Sequence, residues 1–562
     1  MKQQLMQKRT AVAVAVGLAL TLSSCGGGGG HDEPVVSVDQ VLASIQSVPT
    51  IKEIPFESPS PARCPTTSHP FNTMLCSIGA SLNYDADGTS PVDLQAVGYT
   101  EKEFFQSGNA NVYDLGADQR AVVHSSGNAY TTRLMVRYPT DPAKFSGRVF
   151  IEIYNASNNY DVENTWRRAW KHMVRSGDAF IGITSKSVCA NALKKFDATR
   201  YAALNWQVDG KDENGLFWDM LSQLATLLRQ PDAKVLGTLK PKHLYLTGES
   251  QSGMYMNTYL TAFSDKVEKG GPNGAPLFDG YLNGVGPAFT YLRTETTTTA
   301  SVPSKLYLPT KVPHIVYMSE NENRMYDGMK NGVPGLFPPL LPYQRRADSD
   351  AATDKFRFYE FPGTPHTDPV SQVLPINAEI VKAGGSKRAT PAYYLDPVTG
   401  IQQGHDDLQL TEFFHAMQES IHAWAVNGTP APGGSTEWMW YATATDEKGN
   451  TTYDPLRDHL GNAMGGVRSP LIEVPLHRFY GRMQKDATTF VASSAGSMGK
   501  LPDATINSLY GGSCANYLVR FNVATDALVR GRYLVEYEGD DLKAWARTKG
   551  DTVVWSDGKT CN

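Results

Sequence analysis

The segment 243–254 carries a serine in a setting that suits nucleophilic chemistry. It reads HLYLTGESQSGM, so that an apolar run leads into Gly-Glu-Ser-Gln-Ser-Gly and a helical pattern follows at once. A serine on a sharp turn between a strand and a helix forms a nucleophile elbow, which raises the hydroxyl at the end of a sheet and tolerates only small neighbours. Gly248 and Ser252 meet that size requirement on either side of Ser250. The pattern predicts Ser250 as the nucleophile, with Ser252 as the alternative.

A serine hydroxyl needs a base to take its proton, and in hydrolases of this kind the base follows a later strand. His366 meets this condition, since it comes directly after the predicted strand KFRFYEFPG (355–363). His405, in the loop QQGHDDL, is the alternative base. The remaining candidates lie inside helix or strand patterns and are predicted to pack or to face solvent: His172, His314, His415 and His422.

A carboxylate must hold the imidazole of the base in one tautomer and stabilise its charged form. The segment PHIVYMSENENR (313–324) provides Glu320 and Glu322 after a predicted strand. Counted from Pro313, Glu322 falls where hydrolases usually have their acid, whereas Glu320 is nearer the strand end. Glu322 is therefore favoured, and Glu320 is the alternative.

Attack on a carbonyl group creates an oxyanion, which backbone N–H groups can stabilise. The N–H of Gln251, at a predicted helix N-terminus, is the first expected donor. The second should come from the loop after an early strand, and the segment IEIYNASNNYD (151–161) offers the N–H of Ala156 or of Asn155. These residue types together predict acyl transfer from a carbonyl compound.

The elements around these residues alternate between strand and helix patterns from about residue 130. Such alternation predicts an α/β protein whose mostly parallel sheet is covered by helices on both faces. Open sheets of this kind bind their ligands at the carboxyl edge, where Ser250 and His366 are expected to meet. The predicted strands are 131–139, 147–155, 179–186, 242–250, 278–286, 313–320 and 355–363, and the predicted helices are 164–177, 215–230, 252–265 and 410–428.

The first 25 residues have the pattern of an export signal. Lys2, Lys8 and Arg9 precede the apolar run AVAVAVGLALTL (11–22), which has the length of a signal peptide rather than of a membrane span. Leu-Ser-Ser-Cys25 then resembles a bacterial lipobox, in which the cysteine is lipidated. We expect residues 1–24 to be removed and Cys25 to anchor the chain to a membrane, facing the periplasm or the cell exterior.

The sequence pattern divides the chain into four regions. After the signal peptide (1–24), residues 25–70 are polar and rich in Gly, Pro and Ser and are predicted to form a tether and an N-terminal strap. Residues 71–430 form the predicted catalytic domain, with a Pro/Gly-rich cap or lid insertion near 328–345. Residues 431–562 show short strands and many turns, so they are predicted as an extension packed on the catalytic domain.

Composition and cysteines limit the function further. The chain is 41% hydrophobic and 19% charged, which is typical of a globular protein, and its net charge of −5 with no Lys/Arg-rich run gives no basis for nucleic-acid binding. Export predicts disulfides. Closeness in sequence favours Cys64–Cys76 and Cys514–Cys561, which leaves Cys189 free. Without a CxxC pair or a Cys/His cluster, neither a metal nor another cofactor is expected.

The whole pattern resembles a bacterial family of α/β-hydrolase-domain proteins whose elbow reads Gly-x-Ser-Gln-Ser-Gly. The resemblance spans about residues 90–540. Besides TGESQSG, it depends on segments along most of that length: GRVFIEIYNAS, AFIGITSK with LKKFDATRYAAL, VPHIVYMSENE, RRADSD, KFRFYEFPGTPH and RDHLGNAMGGVRSPLIEVP. Glu322 replaces the aspartate common in the family, which keeps Glu320 as an alternative, and the insertion 328–345 is peculiar to this chain.

The resemblance implies an α/β-hydrolase fold and a serine hydrolase with Ser250, His366 and an acid at 320 or 322. Hydrolysis of a small carboxylic ester through an acyl-enzyme is the expected activity. A peptidase or an acyltransferase using the same three residues is an alternative, as is a lipid-tethered binding protein without catalysis. The substrate and the oligomeric state are left open by the sequence.

Overall fold

The fold is described from a computed structural model of the chain. The structure describes residues 39–54, 94–294, 303–323, 345–367, 394–395, 400–404, 407–434, 438–445, 451–482 and 494–561, together with the single positions 380 and 386. Five predictions fall outside these residues: the signal peptide 1–24, lipidation of Cys25, the Cys64–Cys76 pair, His405 as a base, and the insertion near 328–345, of which only Arg345 is described.

Strands occur along most of the described chain. They are β1 Thr50–Glu53, β2 Tyr99–Leu115, β3 Ala121–Pro139, β4 Arg148–Ile153, β5 Ala179–Ile183, β6 Gln207–Val208, β7 Lys211–Asp212, β8 His243–Glu249, β9 Gly280–Gly284, β10 His314–Ser319, β11 Ser349–Ala351, β12 Asp354–Phe361, β13 Tyr394–Leu395, β14 Ile401–Gln403, β15 Tyr441–Thr445, β16 Thr451–Pro455, β17 His477–Tyr480 and β18 Ser497–Lys500.

Helices alternate with these strands and then dominate the C-terminal part. They are α1 Gln40–Ile45, α2 Thr165–Ser176, α3 Ser187–Phe196, α4 Phe217–Leu228, α5 Gln251–Val267, α6 Leu410–Asn427, α7 Pro470–Glu473, α8 Asp503–Tyr510, α9 Cys514–Arg530 and α10 Glu536–Gly550. No helix in the described ranges is both long enough and apolar enough to span a bilayer.

A ten-stranded sheet organises the chain, with the strand order β1-β2-β3-β5-β4-β8-β9-β10-β12-β11. The six central strands from β5 to β12 pair in parallel, and the outer pairs are antiparallel. Parallel strands need crossover helices between them, and α2, α3, α4 and α5 occupy those connections. The carboxyl ends of β4, β8, β10 and β12 therefore open at one edge of the sheet.

Both faces of the sheet are covered, because successive side chains of a strand point to opposite faces. In β4, Val149, Ile151 and Ile153 belong to one hydrophobic core, together with side chains of α4 and α5. Phe150 belongs to the other core, with Trp166 of α2 and with α6. The predicted α/β class, with a mostly parallel sheet and helices on both faces, is confirmed.

The antiparallel ribbon β2–β3 was only partly predicted. The sequence pattern indicated the end of β3 but gave no sign of β2, whose buried positions include Glu101 and Glu103. These carboxylates pair with Arg137 and Arg133 of β3, and all four side chains are almost fully buried. The buried ion pairs make the strand look polar and exposed in the sequence, although it lies in the interior.

Two further regions differ from expectation. The strap is partly regular, since α1 and β1 lie within it and β1 pairs with β2. The C-terminal part was predicted to hold short strands and turns, which is wrong for residues 503–550, where α8, α9 and α10 follow one another. Buried Tyr517 and Phe521 lie four residues apart in α9, a spacing typical of a helix that the abundant polar residues concealed.

The C-terminal helices are fixed by a disulfide. Cys514, at the start of α9, bonds to Cys561 near the chain end, which confirms the predicted pair. Cys189 is a free, buried thiol, also as predicted. Residues Gln40–Asn562 form one compact unit, so the extension belongs to the same body as the sheet.

Candidate active site

Ser250 lies on a strained turn between β8 and α5. Its backbone has φ 59° and ψ −122°, a conformation that non-glycine residues rarely adopt and that costs free energy unless the surroundings impose it. Two hydrogen bonds hold the turn: the N–H of Ser250 donates to the carbonyl of Gly284 (2.9 Å), and that of Met254 donates to the carbonyl of Ser250 (3.0 Å). The hydroxyl is thereby presented at the carboxyl edge of the sheet.

Small neighbours are a steric requirement of this turn. A Cβ on Gly248 would lie 2.8 Å from the carbonyl oxygen of Ser252, and one on Gly253 would lie 2.7 Å from that of Gly284. Ser252, the alternative nucleophile, is 2% exposed, and its Oγ has no hydrogen-bond partner in the described part of the chain. The structure therefore directs Ser250, and not Ser252, toward the site.

His366 reaches Ser250 from the loop after β12. Its Nε2 lies 3.0 Å from the Oγ of Ser250, although 116 residues separate the two in sequence. The loop turns at Gly363, whose φ of 75° lies in the left-handed region, and the hydroxyl of Thr364 donates to the carbonyl of Phe361 (2.6 Å). The imidazole is 4% exposed, so little water competes for its nitrogens.

Glu322 holds the other side of the imidazole. It lies in a 3₁₀ turn, Glu320–Asn323, that follows β10, and its Oε1 is 2.5 Å from the Nδ1 of His366. Its second oxygen accepts the N–H of Ser319 at 2.5 Å, and the carboxylate is fully buried. With both oxygens engaged, the carboxylate fixes the imidazole so that Nε2 faces the serine.

Glu320 is directed elsewhere. Its Oε2 accepts the N–H of Gly363 (2.7 Å), while Oε1 accepts from Arg457 (2.5 Å) and from the N–H of Gly481 (3.1 Å). It therefore secures the turn that carries His366 against the C-terminal region and makes no contact with the imidazole. Sequence spacing favoured Glu322 as the acid and kept Glu320 as the alternative, but it gave no sign of the role that Glu320 has here.

A buried ion pair between Glu249 and Arg168 stabilises the elbow. Glu249, the residue before Ser250, accepts two hydrogen bonds from Arg168 of α2, each 2.9 Å long. Asn155 adds a bond from its Nδ2 to the carbonyl of Glu249 (3.2 Å). Sequence reasoning missed this support, although a charged residue inside the elbow motif and an arginine in the apolar part of a helix are both signals for it.

The expected oxyanion donors differ in whether their N–H groups already have an acceptor within the protein. The N–H of Gln251 lies in the first turn of α5, where helical N–H groups have no partner within the helix. Asn155 as the second donor is wrong, because its N–H donates to the carbonyl of Val162 in an antiparallel bridge (3.0 Å). The N–H of Ala156 donates to the side-chain oxygen of Gln251 at 3.0 Å, so it is also engaged.

Lys186 is a partly buried cation that follows β5 at the same edge of the sheet. Its Nζ lies 5.0 Å from the ring centre of Tyr255 in α5. Burial lowers the pKa of Lys186 to about 8, and no carboxylate among the described residues forms an ion pair with it. The described residues also contain no group of three or more His, Cys, Asp and Glu side chains arranged to hold a metal ion.

The four histidines predicted to pack or to face solvent take part in packing. His172 and His415 stack with ring centres 4.9 Å apart, and both contact Tyr537 of α10. Nδ1 of His422 forms a hydrogen bond with the hydroxyl of Tyr245 (2.7 Å). Burial lowers the pKa of His314 to about 3, so it is neutral at ordinary pH. These contacts agree with their predicted packing role.

The geometry joins a hydroxyl, an imidazole and a carboxylate in series, with the carboxylate of Glu322 fully buried and Ser250 partly exposed. In such a series the imidazole can accept the hydroxyl proton while the carboxylate stabilises the resulting charge. The arrangement can therefore perform nucleophilic attack on an electrophilic carbon without a metal.

Comparison with known proteins agrees with the fold. A family model described as "Alpha/beta hydrolase domain" matches residues 57–544, which confirms the expected α/β-hydrolase fold over most of the chain. A search of curated protein sequences finds no match.

Solved structures that match include serine hydrolases and esterases. XC6422 of Xanthomonas campestris, described as an α/β serine hydrolase without lid, is 12% identical; the match covers 46% of this chain and 85% of that one, with a TM-score of 0.23. A putative dienelactone hydrolase of Klebsiella pneumoniae is 12% identical over 39% and 73%, with a TM-score of 0.21. Esterase B of Lactobacillus rhamnosis is 13% identical over 46% and 74%, with a TM-score of 0.22. Values this low support no inference about substrate.

Proposed function

This chain belongs to the alpha/beta hydrolase domain family, and we propose that it is a serine hydrolase that cleaves a small carboxylic ester through an acyl-enzyme. The observation that carries the proposal is the continuous hydrogen-bond series from Glu322 through His366 to the Oγ of Ser250. The strained backbone of Ser250 supports it, since strain of this kind persists where function requires a fixed geometry.

Acylation begins with attack of the Ser250 Oγ on the acyl carbon. The Oγ–carbon bond forms, the carbonyl π electrons move to its oxygen, and Nε2 of His366 takes the hydroxyl proton. The carboxylate of Glu322 stabilises the imidazolium, while the N–H of Gln251 donates to the oxyanion. Collapse of this intermediate breaks the bond to the alcohol oxygen, which receives the proton from His366.

Deacylation repeats the sequence with water as the nucleophile. Nε2 of His366 takes a proton from water, the new carbon–oxygen bond forms, and the bond to Ser250 breaks as its Oγ regains the proton. The products are a carboxylic acid and an alcohol, and the enzyme returns to its initial state. We propose an ester rather than an amide because an alcohol leaves more readily than an amine.

The experiment that tests this function is a substrate screen of the protein without residues 1–30. Esters, thioesters, lactones and amides of graded acyl length are offered to the wild type and to the Ser250→Ala variant. Release of acid from esters by the wild type, lost in the variant, is the expected result. Turnover that survives in Ser250→Ala would contradict Ser250 as the nucleophile. No turnover of any ester by a correctly folded wild type would contradict the proposal and favour a binding protein.

We further propose that the enzyme is exported and held at a membrane by lipid on Cys25. The motif Leu-Ser-Ser-Cys after an apolar run supports this, and so does the Cys514–Cys561 disulfide, since disulfides persist mainly in oxidising compartments. Metabolic labelling with a radioactive fatty acid tests the anchor. Label is expected on the wild type and should be absent from Cys25→Ala; equal labelling of both chains would exclude this site.

A further inference from the structure

The loop after β4, which was predicted to supply the second oxyanion donor, has no free N–H at Asn155 or Ala156. The N–H of Asn155 donates to Val162 (3.0 Å), that of Ala156 donates to Gln251 (3.0 Å), and that of Ser157 donates to the side-chain oxygen of Asn155 (2.8 Å). All three groups are thus satisfied within the protein. If the oxyanion receives a second hydrogen bond, another donor near Ser250 must provide it.

The bond between Ala156 and Gln251 determines how the Gln251 side chain is oriented. A backbone N–H can donate only to the oxygen of an amide, so the oxygen faces the loop and the Nε2 group faces away from it. No described residue accepts a hydrogen bond from that Nε2, and the side chain is only partly buried. Two N–H donors are therefore left unused on the residue that directly follows the nucleophile.

We propose that the Nε2 of Gln251 is the second oxyanion donor, acting beside the backbone N–H of the same residue. This inference rests on the proposed ester hydrolysis at Ser250. In it, Ala156 is a positioning residue, since its N–H holds the amide and does not touch the substrate. A side-chain amide is a known type of oxyanion donor, and its effect depends on being fixed before the reaction.

The surroundings supply that fixation. The loop that holds Gln251 is itself attached to the elbow, because Nδ2 of Asn155 donates to the carbonyl of Glu249 (3.2 Å). Donation into the amide oxygen also draws electron density from Nε2, which strengthens it as a donor through hydrogen-bond cooperativity. The donor thus costs little reorganisation at the moment when charge develops on the substrate oxygen.

Two variants separate donation from mere attachment of the loop. Gln251→Glu keeps an oxygen that accepts from Ala156 but has no N–H, whereas Gln251→Met has neither group and adds no charge. We expect kcat to fall by about 10²–10³ in both, with KM changed by less than about threefold, because the lost bond forms only in the transition state. Thermal unfolding is followed alongside to show that both variants fold.

The deciding readout is the preference for an ester over the matching thionoester, whose sulfur is a poor hydrogen-bond acceptor. Loss of an oxyanion donor should reduce this preference by about tenfold or more, whereas a displaced loop would slow both substrates alike. It is measured in both variants, but Gln251→Glu decides the question, because it keeps the N–H of Ala156 engaged, whereas Gln251→Met releases that N–H. An unchanged preference, or kcat within about threefold of the wild type, in Gln251→Glu would overturn the proposal.

The same assay keeps this inference apart from the proposed function. If the wild type hydrolyses the ester and Ser250→Ala does not, the proposed function is supported, whatever the activity of the Gln251 variants. If the folded wild type hydrolyses no ester, the proposed ester hydrolysis itself is contradicted, independently of any result with the Gln251 variants.

Discussion

The carboxylate of Glu322 is bound at both ends, with Oε1 2.5 Å from the Nδ1 of His366 and Oε2 2.5 Å from the backbone nitrogen of Ser319. The second bond matters as much as the first, because it prevents the carboxylate from rotating. The imidazole is therefore held in the tautomer whose Nε2 is unprotonated toward Ser250. This relationship makes the two neighbouring glutamates experimentally distinguishable.

Glu322→Gln should abolish most of the activity without unfolding the protein. The N–H of Ser319 requires an oxygen, so the new amide must turn its NH₂ group toward Nδ1 of His366. That forces the proton onto Nε2, which can then no longer accept the proton of Ser250. We expect kcat to fall by about 10³–10⁴, as measured by ester hydrolysis under saturating substrate.

Glu320→Gln is the matched control, since the two residues share one turn. Its carboxylate accepts from Gly363, Gly481 and Arg457, so its loss should lower the free energy of unfolding by about 2–4 kcal/mol while kcat falls by less than about tenfold. Denaturant unfolding and kinetics on the same samples give both numbers. The opposite pattern, with the large kinetic loss in Glu320→Gln, would reassign the acid.

Arg168→Met should be among the most destabilising single changes in the chain. Arg168 and Glu249 are both nearly fully buried and joined by two bonds, so removal of the cation leaves a carboxylate in the interior without compensation. We expect a loss of about 3–5 kcal/mol in the free energy of unfolding, with a smaller loss in Arg168→Met/Glu249→Gln. Urea unfolding of the two single variants and the double variant checks this; strictly additive losses would mean that the pair is not coupled.

The Cys514–Cys561 bridge should stabilise the C-terminal helices. It closes a loop with a sequence separation of 47, and its loss increases the conformational entropy of the unfolded chain. The Cys514→Ala/Cys561→Ala variant should be less stable by about 2–4 kcal/mol in unfolding by denaturant. Cys189→Ala serves as the control, because that thiol is buried and unpaired; equal effects of the two changes would argue against a role for the bridge.

Lys186→Met should stabilise the protein near neutral pH. Burial lowers the pKa of Lys186 from its ordinary 10.5 to about 8, so the folded state carries a cation there at a cost below pH 8. As the pH rises from 8 toward 10.5, the folded state loses this proton before the unfolded state does, and stability increases with pH. We expect the variant to gain about 1–3 kcal/mol at pH 7 and almost nothing at pH 10. A gain that is constant with pH would place its cause elsewhere.

The elbow could be predicted from sequence because its requirements are local. An apolar strand, two small residues and a helix start within twelve positions describe the turn completely, and the structure has that turn at Ser250. Spacing favoured Glu322 over Glu320 as the acid, but it could not exclude Glu320. Both follow β10 by a few residues, and the 3₁₀ turn that aims one at His366 depends on contacts with Gly363 and Gly481, far away in sequence.

Buried polar contacts account for most of what the sequence concealed. The sequence of strand β2 looks polar because Glu101 and Glu103 form ion pairs with arginines of the neighbouring strand β3. The loop at Ala156 reads as a free N–H donor because its partner, Gln251, lies 95 residues later. Such pairs follow from tertiary geometry, whereas the α/β layering follows from the hydrophobic period, which was predicted correctly.

Covalent labelling with a fluorophosphonate tests the central claim most directly, because the reagent forms a bond between a serine Oγ and phosphorus, with loss of fluoride, only where that oxygen is activated. The labelled residue is identified by fragment masses of the peptide that contains both Ser250 and Ser252. The account predicts an adduct on Ser250 that is retained in Ser252→Ala and absent in Ser250→Ala. An adduct on Ser252, or no adduct on folded wild-type protein, would contradict it.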